Sequence, residues 1–211
     1  MTTRRLLLAL PVLAAPLAAP MVAPMLAPLA PRPAAAQGSP AQVVEGFHAA
    51  LLGVMRDAQR LGVRGRFERL APAMGQAFDL AAMTRISVGP PWNTFSPPEQ
   101  QALAEAFARW SVATYAARFD GFSGESFATQ GVQALPNGDA LVRTVLNRPG
   151  GQEPVVLSYL VRGGRIVDIY LTGTISELAS RRSEFTGLVR EGGAARLAAE
   201  LNSRAQRLLA G

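Results

Sequence analysis

The chain has 211 residues, 49% of them hydrophobic, with no cysteine and a single histidine, His48. That length suits one domain with a sizeable core. The composition excludes disulfides, thiolate nucleophiles and cysteine-based zinc, and it excludes multi-histidine metal centres. The formal charge is +6 and every basic residue is arginine; the arginines are interspersed with acids rather than blocked, a poor footprint for nucleic acid.

Residues 1–36 combine the basic start Arg4-Arg5, an apolar run, and Ala34-Ala35-Ala36 before Gln37. This is the layout of a signal peptide cleaved after Ala36, placing the mature chain, residues 37–211, outside the cytoplasm. A membrane anchor is the competing reading. Pro11, Pro16, Pro20, Pro24, Pro28, Pro31 and Pro33 argue against it, since a proline-broken run makes a poor spanning helix. Arg4-Arg5 does not by itself separate twin-arginine from general export.

Val43, Val44, Phe47, Leu51, Val54, Met55, Ala58 and Leu61 repeat at helical spacing, so a helix is expected over 40–61, with Ser39 as its cap and Pro40 in the first turn. His48 lies beside that stripe, where a packed histidine is the default. Residues 64–89 read as two short helices broken around Pro72 and Gly75, with Asp79 capping the second. Gly89-Pro90-Pro91 is a stop. Ser96 followed by Glu99 is a capping box that opens a helix reaching about Phe119.

After Gly124 the period turns from helical to alternating. Strands are expected at 126–130, 132–135, 140–147, 155–162 and 165–172, joined by hairpin-type links into an antiparallel meander. Gly163-Gly164 is a two-residue link, and it predicts Tyr159 opposite Asp168 and Leu157 opposite Tyr170. One face would then carry Tyr159, Asp168 and Tyr170 together. Neither face is polar, so each needs helices, a partner or a ligand against it. Thr174 and Glu177 predict a second capping box opening a helix to about 190; Gly192-Gly193 ends it, and 194–209 is a last amphipathic helix. Helices, a curled antiparallel sheet, then helices again make an α+β fold.

Catalytic motifs are missing: no nucleophile elbow, phosphate-binding loop or dinucleotide fingerprint occurs. The trio Asp168, Tyr159 and Tyr170 is the one candidate for acid–base work. Its bland alternative, a carboxylate hydrogen-bonded for structure, is preferred, because no partner base or cofactor motif accompanies it.

Residues 78–116, FDLAAMTRISVGPPWNTFSPPEQQALAEAFARWSVATYA, carry Phe-Asp, Met-x-Arg, a Gly, a Trp, a polar Glu-Gln helix start and Thr-Tyr-Ala in order. This run resembles the MlaC family of periplasmic proteins. Val167-Asp168-Ile169, Gly173 and Arg182-Ser183-Glu184-Phe185 fit the same pattern, so the resemblance spans nearly all of the mature chain. TISELASRRSEF is most similar to HpnM, the hopanoid-associated branch. Tyr170-Leu171-Thr172 and Thr174-Ile175 depart from the usual family run, which leaves the ligand open.

The resemblance implies a monomeric periplasmic lipid carrier, not an enzyme, with no cofactor and a fold related to NTF2-like proteins. It would shuttle phospholipid or hopanoid between an inner-membrane ABC transporter and an outer-membrane lipoprotein–porin complex, the lipid tails held between sheet and helices. Candidate cavity liners are Leu51, Met55, Phe78, Met83, Ile86, Trp92, Phe107, Trp110, Val145, Leu157, Tyr159, Val161 and Tyr170. Rival readings are an NTF2-like enzyme using Asp168 and a ligand-free adaptor with a solid core.

Overall fold

The structure is a computed structural model that describes residues 38–172 and 175–211; the expected signal peptide lies outside the described residues. In chain order it comprises α1 (Pro40–Arg56), α2 (Ala58–Ala77), α3 (Leu80–Val88), a 3-10 turn at Pro90–Thr94, and α4 (Pro97–Arg118). Strands β1 (Ser126–Ala134), β2 (Ala140–Asn147), β3 (Val155–Arg162), β4 (Arg165–Leu171) and β5 (Ile175–Ser176) follow, and α5 (Glu177–Ala210) closes the chain. The strands form one antiparallel sheet in sequence order. This is the α+β meander that the change of period predicts.

The helix starts are set by their caps. Ser39 and Gln42 bond reciprocally at α1, and Asp79 accepts the Ala82 N–H at 2.9 Å. At α4 the Glu99 carboxylate accepts from both the backbone N–H and the hydroxyl of Ser96, the geometry of a capping box. Four boundaries differ from expectation. The helix expected over 40–61 stops at Arg56, with Asp57 as its C-cap, and α2 follows from Ala58 with a kink at Gly62. Pro72 stays inside α2; it and Glu68, whose carbonyl loses a donor, are both exposed, so water replaces the missing bond. The break falls at Phe78-Asp79, where the chain forms a parallel bridge to Ile166 of β4. At α5 the cap is Ser176, which accepts the Ala179 N–H at 3.0 Å, and not Thr174, which lies outside the described residues. Gly192 and Gly193 do divide α5.

β1 runs unbroken past Gly131 because the extra residue Gln130 is absorbed as a bulge. A second bulge, at Val167, overturns the expected register beyond the hairpin turn. Arg162 faces Arg165 and Val161 faces Ile166 as predicted, but Leu160 then faces Asp168, Tyr159 faces Ile169 and Leu157 faces Leu171. One inserted residue moves everything after it to the other face. Asp168 and Tyr170 therefore do not share the face of Tyr159.

The inner face of the sheet carries Val142, Thr144, Tyr159, Val161, Ile166 and Ile169, all buried, and helices pack against it. Its other face stays partly wet: Leu141, Val156 and Leu160 are half-buried and Arg143 is exposed. The core joins Phe47 and Leu51 of α1, Leu70 and Met74 of α2, Leu103 and Phe107 of α4, and Phe185, Leu197 and Leu201 of α5.

Arginines meet the carboxyl ends of several helices. Arg165 donates to the Phe78 carbonyl behind α2 (3.1 Å from Nε), and Arg182 to the Ile86 carbonyl in α3 (3.1 Å). The unpaired carbonyls and negative dipole end of a helix favour a cation there.

Candidate functional site

Between the inner sheet face and the helices lies a cavity of about 260 Å³. Its wall is mostly hydrocarbon. Leu51, Met74, Phe78, Met83, Phe107 and Tyr159 line it and are buried. Phe119, Phe127, Leu146, Val155, Leu157 and Leu171 also line it and are only half-buried. The wall is thus part fully buried and part half-buried; the half-buried side chains, with the charged Arg118, Glu177 and Arg181, form its rim.

Helix α4 supplies one whole side. Phe107, Trp110, Ser111, Thr114, Tyr115 and Arg118 all reach the cavity, the i, i+3, i+4 stripe of a single helix face. Trp110 is fixed by edge contacts to Phe107 and Phe185, and the Arg181 guanidinium stands over its ring at 4.6 Å. Glu177 and Glu184 each lie 3.4 Å from Arg181, so the cation at the rim is held by an aromatic face and two loose carboxylates.

One polar pair stands behind the wall at Tyr159. His48 Nε2 lies 2.9 Å from the Tyr159 hydroxyl, and the imidazole stacks on Phe127 with centroids 3.8 Å apart. Burial lowers the His48 pKa to about 4, so the ring is neutral at physiological pH. Burial, and secondarily the neighbouring Tyr115, pushes the Tyr159 phenol well above its ordinary range. Tyr115 is likewise raised, first by burial and then by Glu177.

Asp168 does not enter this site. Its carboxylate accepts from the Ser176 hydroxyl at 2.6 Å, the Ile169 N–H at 2.8 Å and the Leu178 N–H at 3.4 Å. It ties β4 to the start of α5, which is the structural role the sequence favoured. The proposed trio with Tyr159 and Tyr170 is not assembled. Among the described residues no cluster of metal-ligating side chains occurs, and no helix is long and apolar enough to cross a membrane.

Of the residues expected to line a cavity, Leu51, Phe78, Met83, Phe107, Trp110, Leu157 and Tyr159 do so. Met55 and Val161 are buried in solid core instead, and Ile86 and Trp92 pack at its edge. Val145 and Tyr170 lie on the opposite sheet face, paired with Val156 and Ser158. Sequence reasoning missed Met74, Tyr115, Phe127, Leu146, Val155 and Ile169, among others. Tyr115 was legible as one step along the Trp110–Ser111 stripe. Leu146 was not, because the β2–β3 link is too long for turn chemistry to set the register.

A family model described as "MlaC protein" matches residues 46–203. The chain belongs to the MlaC family. A solved structure of the phospholipid-binding protein from Ralstonia solanacearum, in complex with a phospholipid, has the same fold, with a TM-score of 0.68 at 22% identity; the match covers 79% of this chain and 96% of that one. No curated protein matches the chain. For this MlaC-family chain the comparison bears on the architecture: the five-stranded antiparallel sheet and its covering helices.

Proposed function

We propose that this protein is a periplasmic lipid carrier, which encloses the hydrocarbon of a phospholipid or hopanoid-type lipid and moves it between inner and outer membranes. The observation that carries the reading is the apolar cavity, whose buried liners are uncharged and whose charged liners are at most half-buried. A lipid tail gains about 0.8 kcal/mol per methylene removed from water, so a carrier has to enclose tails while its rim tolerates a polar group. Charged groups among the buried liners would oppose that, and none of those liners is charged. The phospholipid bound by the Ralstonia protein supports the same ligand class.

At about 260 Å³ the space lies just under the roughly 300–1,000 Å³ of ordinary small-molecule pockets. A two-tailed lipid requires a wider one. The half-buried rim side chains, Phe119, Leu146, Val155 and Leu171, are the ones free to rotate outward and supply it.

Export follows from the leader, with residues 37–211 as the mature chain. The likeness of TISELASRRSEF to HpnM favours a hopanoid-associated role, and the family resemblance supplies the partners: an inner-membrane transporter and an outer-membrane lipoprotein complex. An enzymatic reading built on Asp168 is disfavoured because that carboxylate is spent on β5 and α5. A ligand-free adaptor is disfavoured by the cavity itself.

Extraction of the mature protein, purified from its native periplasm, followed by mass spectrometry of the extract tests the proposal. A stoichiometric phospholipid or polycyclic lipid is expected. A chain that never retains lipid overturns it.

A further inference from the structure

Two phenols in the cavity wall carry hydrogen-bonding capacity that the surrounding packing does not use up. Tyr159 lines the cavity and is 3% exposed; its hydroxyl meets His48 Nε2 at 2.9 Å. A phenol oxygen has one proton to donate and two lone pairs to offer. Whichever tautomer His48 holds, the imidazole takes up one of these and leaves the rest. Tyr115 also lines the cavity, packed by edge contacts on Phe47 and Phe78 and stacked on Phe119. Among the described residues its hydroxyl has no hydrogen-bond partner, and no fully buried side-chain polar atom goes unpaired. The Tyr115 oxygen is therefore not sealed in packing, and the ring that carries it forms part of the cavity wall.

A cavity meant for plain hydrocarbon gains nothing from two phenols in its wall. Phenylalanine would fill the same places without the cost of desolvating a hydroxyl. The histidine behind Tyr159 adds to that cost, since it is the chain's only one and is buried uncharged against Phe127. The arrangement does suit a group that both donates and accepts. An alcohol does both, and a methylene does neither.

We propose that Tyr115 and Tyr159, with His48 orienting Tyr159, form a hydrogen-bonding subsite for a hydroxyl carried on the hydrocarbon portion of the ligand. The inference rests on the carrier reading and deepens it: the preferred cargo has an alcohol within its apolar part, in addition to any polar head outside the rim.

The test displaces a fluorescent fatty acid from the delipidated mature protein with stearic acid and with its 9-, 12- and 18-hydroxy derivatives. At least one hydroxylated isomer is expected to compete about five- to tenfold better than stearic acid, the worth of one net hydrogen bond. Tyr115→Phe, whose lost hydroxyl has no partner among the described residues, keeps its melting temperature and loses the preference, read as the ratio of hydroxylated-acid to stearic acid affinity within the variant. Equal competition by all four acids overturns the subsite while leaving the carrier reading intact. A preference that survives Tyr115→Phe also overturns it. Failure of every acid to displace the probe removes the carrier reading and the subsite with it.

Discussion

The Arg66 guanidinium donates from Nε to the carbonyl of Ala116, 2.6 Å away, and from Nη1 to the carbonyl of Ala58 at 2.9 Å. One buried cation thus ties the last turn of α4 to the chain just beyond α1. Among the described residues it has no carboxylate partner; the two carbonyl dipoles compensate its charge. Both elements wall the cavity, with Leu51 on one and Trp110 and Tyr115 on the other.

Replacing Arg66 by Met keeps much of the side-chain volume but leaves both carbonyls without their donor. A hydrogen bond from a charged group is worth about 1.5–3 kcal/mol, so a loss of about 2–4 kcal/mol is expected. For a domain of this size that lowers the melting temperature by roughly 5–12 °C. A thermal scan showing no shift would mean that the carbonyls find water at no cost.

The His48 pKa, about 4 in the folded chain because of burial, lies below the unfolded value of about 6.5. Between those values the unfolded state binds the proton and the folded state does not, so stability falls as pH falls through this window. From pH 6.5 to pH 5 the loss is on the order of 2 kcal/mol at 1.36 kcal/mol per pH unit, while most carboxylates are still ionised. Urea titrations at pH 7.5 and pH 5 should show that loss in the natural chain and much less of it in His48→Gln. Parallel curves for the two proteins would sink the assignment.

Val155 is half-buried at the rim, opposite Leu146. Val155→Trp should plug the mouth with little effect on stability, because the added ring has solvent beside it. Lipid recovered from the purified variant is expected to drop several-fold while the melting temperature stays within about 2 °C. Unchanged lipid content would place the entrance elsewhere.

Gly89 sits at φ 74°, ψ −148° after α3, a region essentially reserved for glycine. A Cβ there would stand 3.2 Å from Arg182 Nε, the group that donates to the Ile86 carbonyl. Gly89→Ala is expected to cost about 1–3 kcal/mol in backbone strain, read as a shift in the urea midpoint. Arg182→Ala, at an exposed position, should cost less. An order reversed between the two would contradict the account of this corner.

Several features were decided by local chemistry and so were legible in the chain alone. Ser39, Asp79 and the Ser96–Glu99 box start helices because the donors they satisfy lie within the next few residues. Gly163-Gly164 sets the first pairs of the β3–β4 hairpin for the same reason, and the switch from helical to alternating period announces the α+β order. The motif series from Phe78 to Phe185 carried the family. Tertiary structure alone decided the rest. Val167 is bulged, and from the shifted register Asp168 reaches the Ser176 hydroxyl and the Leu178 N–H, contacts that no local signal announces. Pro72 could remain helical because its missing bond faces water. Whether an apolar side chain fills the core, as Met55 does, or bounds a void, as Met83 does, depends on what stands opposite it in space, and hydrophobicity and spacing are the same in both cases.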